Sequence, residues 1–157
     1  MAIPYRGTSR EGTYFITAST WEKMSILQSE RMASLFMDVL NHYRTAGKYR
    51  LHEFVVMTNH FHLLITPTPP VSLEKAVQFI KGGFSYRAKK ELRVQGEIWQ
   101  TSFYDRRVRD ANEYLRFRHY IHMNPVRRGL VTGPEEFRYS SANLKLDEVP
   151  QWLKPAA

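Results

Sequence analysis

Two runs rich in apolar, β-branched and aromatic residues, Arg50 to Met57 and His60 to Thr66, are separated by only two residues, Thr58-Asn59. A link that short cannot carry the crossover that parallel strands require, so the runs can pair only as an antiparallel hairpin. Asparagine tolerates the positive φ that such turns demand, and Pro67, Pro69 and Pro70 close the second strand. Around this hairpin the rest of the fold must be arranged. Upstream, Gly12 to Ser19 reads as a strand, and Ser29 to Gly47 as a helix whose Met32, Leu35, Phe36, Val39, Leu40 and Tyr43 form one buried stripe.

Downstream, Ser72 to Leu92 reads as a second helix capped by Ser72, with Arg87, Lys89, Lys90 and Arg93 gathered at its end. Gly82-Gly83 in its middle predicts a bend or the close approach of another backbone. A fourth strand lies within Ile98 to Val108. A third helix starts near Asp110, where Asp-Ala-Asn-Glu makes a capping-box pattern with Glu113, and ends near Pro125. The order β-α-β-β-α-β plus one helix predicts an α+β fold, a ferredoxin-like (split βαβ) antiparallel sheet with helices on one face and an additional C-terminal helix. One domain is expected over residues 1–157, its core at about 13–141 and a peripheral tail at 142–157.

The chain contains no cysteine, which excludes a disulfide framework and thiolate metal sites and leaves His, Asn, Gln and carboxylates as ligands. It shows no run of ~20 apolar residues, and Met1 to Tyr14 is too polar for a signal peptide, so a cytoplasmic protein without membrane contact is expected. The net charge is +8, and the segment from Lys81 to Arg128 alone holds 12 basic and 5 acidic residues. Interleaved with Phe84, Tyr86, Trp99, Phe103 and Tyr104, this zone suits a nucleic-acid backbone, a solvated basic face being the plainer alternative. Trp99 and Tyr104 are candidates for stacking on bases, with core packing the commoner role for each.

Side chains alternate along a strand, so His60, His62 and Leu64 share one face. Two imidazoles on one face can grip a divalent cation, or be half-buried hydrogen-bonding histidines. If Met57 pairs with His60, then Val55 lies opposite His62 and Glu53 opposite Leu64, which makes Glu53 a candidate third ligand or outer support. In the last helix Tyr120 and Asn124 are spaced i, i+4 and share a face, and His119 and His122 offer alternatives. Tyrosine can attack phosphorus, and an asparagine carbonyl can bind a hard cation.

His60-Phe61-His62 resembles the His-hydrophobic-His signature of the HUH single-tyrosine transposases. The stretch YIHMNPVRRGLV, starting at Tyr120, is similar to the signature of their REP-associated tyrosine branch. The similarity runs from about Thr13 to Ser141. It implies the ferredoxin-like fold, with the tyrosine on the C-terminal helix, and action on single-stranded DNA, often folded into a hairpin. Carried over by motif, Tyr120 is the nucleophile, His60 and His62 are catalytic metal ligands, and Asn124 completes the shell where insertion-sequence relatives have glutamine. Mg²⁺ or Mn²⁺ is the expected cofactor, and a monomer is expected, with a dimer that exchanges the tyrosine helix as the alternative.

A phenol is almost entirely protonated at neutral pH, so its attack on phosphorus needs activation, which a metal on the phosphate would supply. A 5′-phosphotyrosine and a free 3′ hydroxyl would follow. The expected DNA contacts are Arg87, Lys89, Lys90, Arg106, Arg107, Arg109, Arg116 and Arg118. Two other readings stand beside this one: a non-catalytic nucleic-acid-binding module on the same fold, and a His-x-His metallohydrolase using water, for which Tyr120 would be dispensable.

Overall fold

The computed structural model describes residues 10–154. Residues 1–9, most of the stretch read as too polar for a signal peptide, and 155–157, the end of the expected tail, lie outside the described residues. The strands β1 (Tyr14–Ser19), β2 (Tyr49–Val56), β3 (His60–Pro67) and β4 (Tyr104–Arg107) form one antiparallel sheet in the order β2-β3-β1-β4. Helices α1 (Glu30–Thr45) and α2 (Leu73–Glu91) cover one face, and α3 (Ala111–Arg127) covers the other. This is the expected ferredoxin-like α+β arrangement. Among the described residues no helix is long and apolar enough to cross a membrane.

Strand alternation divides the core. Ile16, Ala18, Phe54, Val56, Phe61, Leu63 and Ile65 pack against α1 and α2, whereas Phe15, Val55 and Leu64 join Tyr114 and Ile121 of α3. The hairpin register is the expected one: Met57 N–H donates to His60 O at 2.8 Å, and Val55 lies opposite His62. Glu53 lies opposite Leu64 in the same register, and a bulge between Leu51 and Glu53 shifts the pairing only beyond that point.

The turn differs from expectation. Asn59 does not take a positive φ; among the described non-glycine residues only Glu22, Lys23 and Arg93 do. Bonds from outside hold it instead, since Leu27 N–H donates to Thr58 O at 2.9 Å and Thr20 N–H to Asn59 O at 2.9 Å. The double glycine does not interrupt α2. Its neighbour is the Tyr43 ring of α1, which a Cβ on Gly83 would meet at 2.7 Å, while a Cβ on Gly82 would meet nothing within 4 Å.

Helix α3 ends near Pro125 as expected, running two residues beyond it. Proline deprives the Ile121 carbonyl of its helical donor, a loss tolerated so near the end because the last turn is closed from beyond. Arg128 N–H donates to Asn124 O at 3.1 Å, and Leu130 N–H to Pro125 O at 2.9 Å across Gly129, whose φ of 73° is open to glycine. The cap is half of the expected box. Asp110 Oδ1 accepts from Glu113 N–H at 2.8 Å, but the Glu113 carboxylate returns to Arg109 N–H at 3.0 Å, not to Asp110.

Residues 142–154 are not a merely peripheral tail. Leu153 is fully buried in the α3-side core, and Asp147 accepts from Arg44 and from Leu51 N–H, all at 2.9 Å. Trp99 lies in the other core against Phe36, Phe61 and Phe84, its indole N–H donating to Lys81 O at 3.0 Å. Tyr104, expected in the core, is exposed.

The two glycines of α2 should separate in a urea-unfolding experiment. Gly82→Ala is expected to stabilise by about 0.5–1 kcal/mol, the ordinary helix-interior gain. Gly83→Ala should lose that gain and destabilise by about 1 kcal/mol as the Tyr43 ring is displaced.

Candidate functional site

On the α3 side of the central strand β3 the two imidazoles stand together, ring centroids 4.9 Å apart, each nearly buried. Each is oriented through its Nδ1. His62 Nδ1 bonds Thr17 Oγ1 at 2.7 Å from the neighbouring strand, and His60 Nδ1–H donates to Asn59 Oδ1 at 2.8 Å from the hairpin turn. An amide oxygen can only accept, so His60 carries its proton on Nδ1 and its Nε2 lone pair is free. Burial, with Arg128 and Lys23 adding to it, pushes His60 down to about 4; burial, then His60 and Arg128, pushes His62 down to about 3. Both rings are therefore neutral at physiological pH, the form that binds metal.

Helix α3 brings its residues over this pair. Asn124, 4% exposed, sets its amide nitrogen 3.4 Å from His62 Nε2, while its Oδ1 is buried without any hydrogen-bond partner. Tyr120, one turn earlier, is 38% exposed, with its ring edge-on to His62 at 5.2 Å between centroids. The Arg127 guanidinium lies over the tyrosine ring at 5.5 Å. The helix so joins one accessible hydroxyl and one buried amide to the histidine pair.

Glu53 is not a third ligand. Its Oε1 accepts from His122 Nε2 at 2.6 Å and from Ser141 Oγ at 2.8 Å, and its Oε2 pairs with Arg118 at 3.4 Å. Among the described residues no group of three His, Asp or Glu side chains could hold a metal. His122 is thus committed to Glu53.

The family model described as "Transposase IS200 like" matches residues 9–124. The chain belongs to the IS200-like transposase family. A Haemophilus influenzae protein provisionally named a REP-associated tyrosine transposase is 26% identical over 153 residues, covering 87% of this chain and 82% of that protein. The REP-associated tyrosine transposase of Escherichia coli is 24% identical over 131 residues, covering 83% of this chain and 76% of its own length. A solved structure of the REP-associated tyrosine transposase bound to a REP hairpin has a TM-score of 0.75 to this chain at 21% identity, over 91% of this chain and 84% of that one, a likeness of fold. The resemblance drawn from the two motifs is met, and the chain is an enzyme of the DNA-cutting transposase class.

The expected DNA-contacting residues of this transposase divide between the two faces. Arg87, Lys89 and Lys90 lie on α2, across the sheet from the histidines, where Arg87 pairs with Glu91 at 2.5 Å and Lys90 lies over the Tyr86 ring. Arg107 donates to Glu11 O at 3.1 and 3.2 Å, and Arg118 is held by Glu53. Arg106, Arg109 and Arg116 converge on one carboxylate oxygen of Glu113, at 3.3, 2.9 and 4.0 Å. Burial works to raise the Glu113 pKa, but hydrogen bonds from Arg109 and the surrounding positive charge outweigh it and hold the carboxyl below its ordinary value. Three exposed guanidinium groups thus surround one buried anion.

Sequence reasoning missed Thr17 and Asn59 as supports of the histidines. Thr17 was visible only through the β1–β3 register, and Asn59 was read for its backbone rather than its amide.

The histidine shifts give a pH signature. Below about pH 6.5 the unfolded chain takes up protons on these rings while the folded chain resists until about 4 and about 3. Their contribution to stability is therefore complete above about 6.5 and is lost as pH falls towards the folded values. The urea midpoint in EDTA is expected to fall from pH 6.5 to 4, with a shallower fall in the His60→Gln/His62→Gln variant, by close to two protons' worth of slope.

Proposed function

We propose that this transposase nicks and rejoins single-stranded, hairpin-containing DNA, with Tyr120 as nucleophile and a divalent metal, Mg²⁺ or Mn²⁺, held by His60, His62 and Asn124. The observation that carries this reading is the unpartnered Asn124 Oδ1, buried beside two neutral imidazoles whose Nδ1 atoms are already engaged. Two imidazole nitrogens and an amide oxygen suit such a cation. When bound, the ion supplies positive charge that polarises a phosphate oxygen and stabilises the leaving 3′ oxygen.

The chain's own residues do the rest. Tyr120 Oη attacks phosphorus, the new P–Oη bond forms as the P–O3′ bond breaks, the phenol proton passes to solvent, and the 3′ oxygen takes one up as a hydroxyl. The 5′-phosphotyrosine keeps the phosphodiester energy, and attack by a 3′ hydroxyl rejoins a strand and releases the tyrosine with no nucleotide consumed. Arg106, Arg109 and Arg116 hold the strand by its phosphates. The reaction runs in the cytoplasm, and the active form is a monomer. Helix α3 is covered by Phe137 and Leu153, so exchanging it between copies would strip part of its core.

Incubation with 5′- and 3′-labelled hairpin DNAs and Mn²⁺, followed by denaturing gels, tests the reading. A metal-dependent protein adduct retaining the 3′ label, and absent from Tyr120→Phe, is expected. Cleavage that survives in Tyr120→Phe would establish the water-using hydrolase instead; tight binding with neither adduct nor cleavage would establish the binding module. By calorimetry, Asn59→Ala is expected to weaken Mn²⁺ binding about 10- to 100-fold, as loss of an outer support of a ligating histidine does.

A further inference from the structure

A cavity of about 440 Å³ opens beside the histidine pair, walled by Phe15, His62, Tyr104, Arg116, Phe117 and Tyr120. Its aromatic content exceeds what attack on a phosphate requires. His62, Phe15 and Phe117 make one continuous stack, Phe15 lying nearly parallel to His62 at 5.4 Å and to Phe117 at 4.4 Å. The Tyr104 and Tyr120 rings both lie steeply inclined to Phe15, at 73° and 82°, with centroids 6.4 and 6.0 Å away.

Strand pairing decides where Tyr104 stands. It lies opposite Thr17 on β1, and Thr17 lies opposite His62 on β3, so the three side chains form a row across one face of the sheet. Two interstrand steps place Tyr104 about 10 Å from His62 along that row. A phosphate at the histidines and a base at Tyr104 are separated by the reach of one nucleotide. Tyr104 is 55% exposed on an edge strand, so much of its ring is open to solvent. Arg106 and Arg116, though within 3.3 and 4.0 Å of Glu113, keep 47% and 69% of their side chains exposed on this side of the sheet. A planar aromatic group carried on a phosphate matches both features, and only an unpaired base offers its faces to stacking.

We propose that this cleft receives one unpaired nucleobase of the DNA, flanking the phosphate that Tyr120 attacks, with the Tyr104 ring as its stacking face. The inference rests on the reading of Tyr120 as nucleophile for its position along the strand, and on the cavity for its existence.

The test uses the full chain carrying Tyr120→Phe, which keeps the ring and leaves the strand uncut. The probe is the hairpin oligonucleotide that gives most adduct with wild type or, if none does, the one bound most tightly. 2-Aminopurine is placed in turn at each unpaired position. Expected is a loss of fluorescence on binding at one position next to the cut, kept when Tyr104→Phe is added and lost with Tyr104→Leu. An abasic site there should weaken binding about 10- to 100-fold, with little further loss from Tyr104→Leu. Equal losses from abasic sites at all unpaired positions, a quench that Tyr104→Leu leaves intact, or no quench anywhere would overturn the proposal. The two readings fail separately: a wild-type adduct without the quench removes the base site alone, whereas a quench without an adduct removes the nucleophile and keeps the stacking cleft. The abasic arm needs no variant of Tyr104, so a folding defect in Tyr104→Leu does not blunt it.

Discussion

Strand β3 is hydrogen-bonded on both sides and packed on both faces, and the site depends on its register. A slip of one residue would carry His60 and His62 into the layer between sheet and α1–α2, among Phe36, Phe54 and Ile80. Their ring N–H groups would find few acceptors there, and Phe61, Leu63 and Ile65 would be driven to the α3 side. The apolar alternation and the polar supports agree on one register: Thr17 from β1 and Asn59 from the turn can meet the imidazoles only in the pairing observed. Orientation of the rings is thus a product of sheet geometry rather than of the histidines themselves.

Placement of α3 rests on a different kind of contact. Its apolar interface is modest, made by Tyr114, Ile121 and the half-buried Phe117. The bulged strand β2 adds Glu53, whose carboxylate gathers His122 and Arg118 from α3 and Ser141 from the segment beyond it. A small core on this face is thereby supplemented by directional bonds, which set the helix's rotation as well as its distance. That rotation decides whether Asn124 faces inward and Tyr120 the cleft.

The sequence made most of this legible because its strongest signals were local. The hairpin, the helices beginning near Ser29 and Ser72 and the Glu53 pairing followed from spacing alone, and the shared face of Tyr120 and Asn124 followed from helical periodicity. What stayed hidden was set by tertiary contacts. Asn59 avoids positive φ because Thr20 and Leu27 hold the turn; Leu153 is core because α3 and β2 leave an apolar surface to cover. Charge counting was least informative. It grouped basic residues that the fold distributes over opposite faces, and it could not foresee that three of them share Glu113.

That shared carboxylate has a consequence for anything the arginines meet. A free arginine side chain must give up rotamer freedom, worth up to ~2 kcal/mol, each time it grips an anion. Around Glu113 much of that ordering is completed when the chain folds, and the buried charge offsets the repulsion that would otherwise spread the guanidinium groups apart. The cluster is a preorganised cradle, so less entropy is left to lose at the moment of binding.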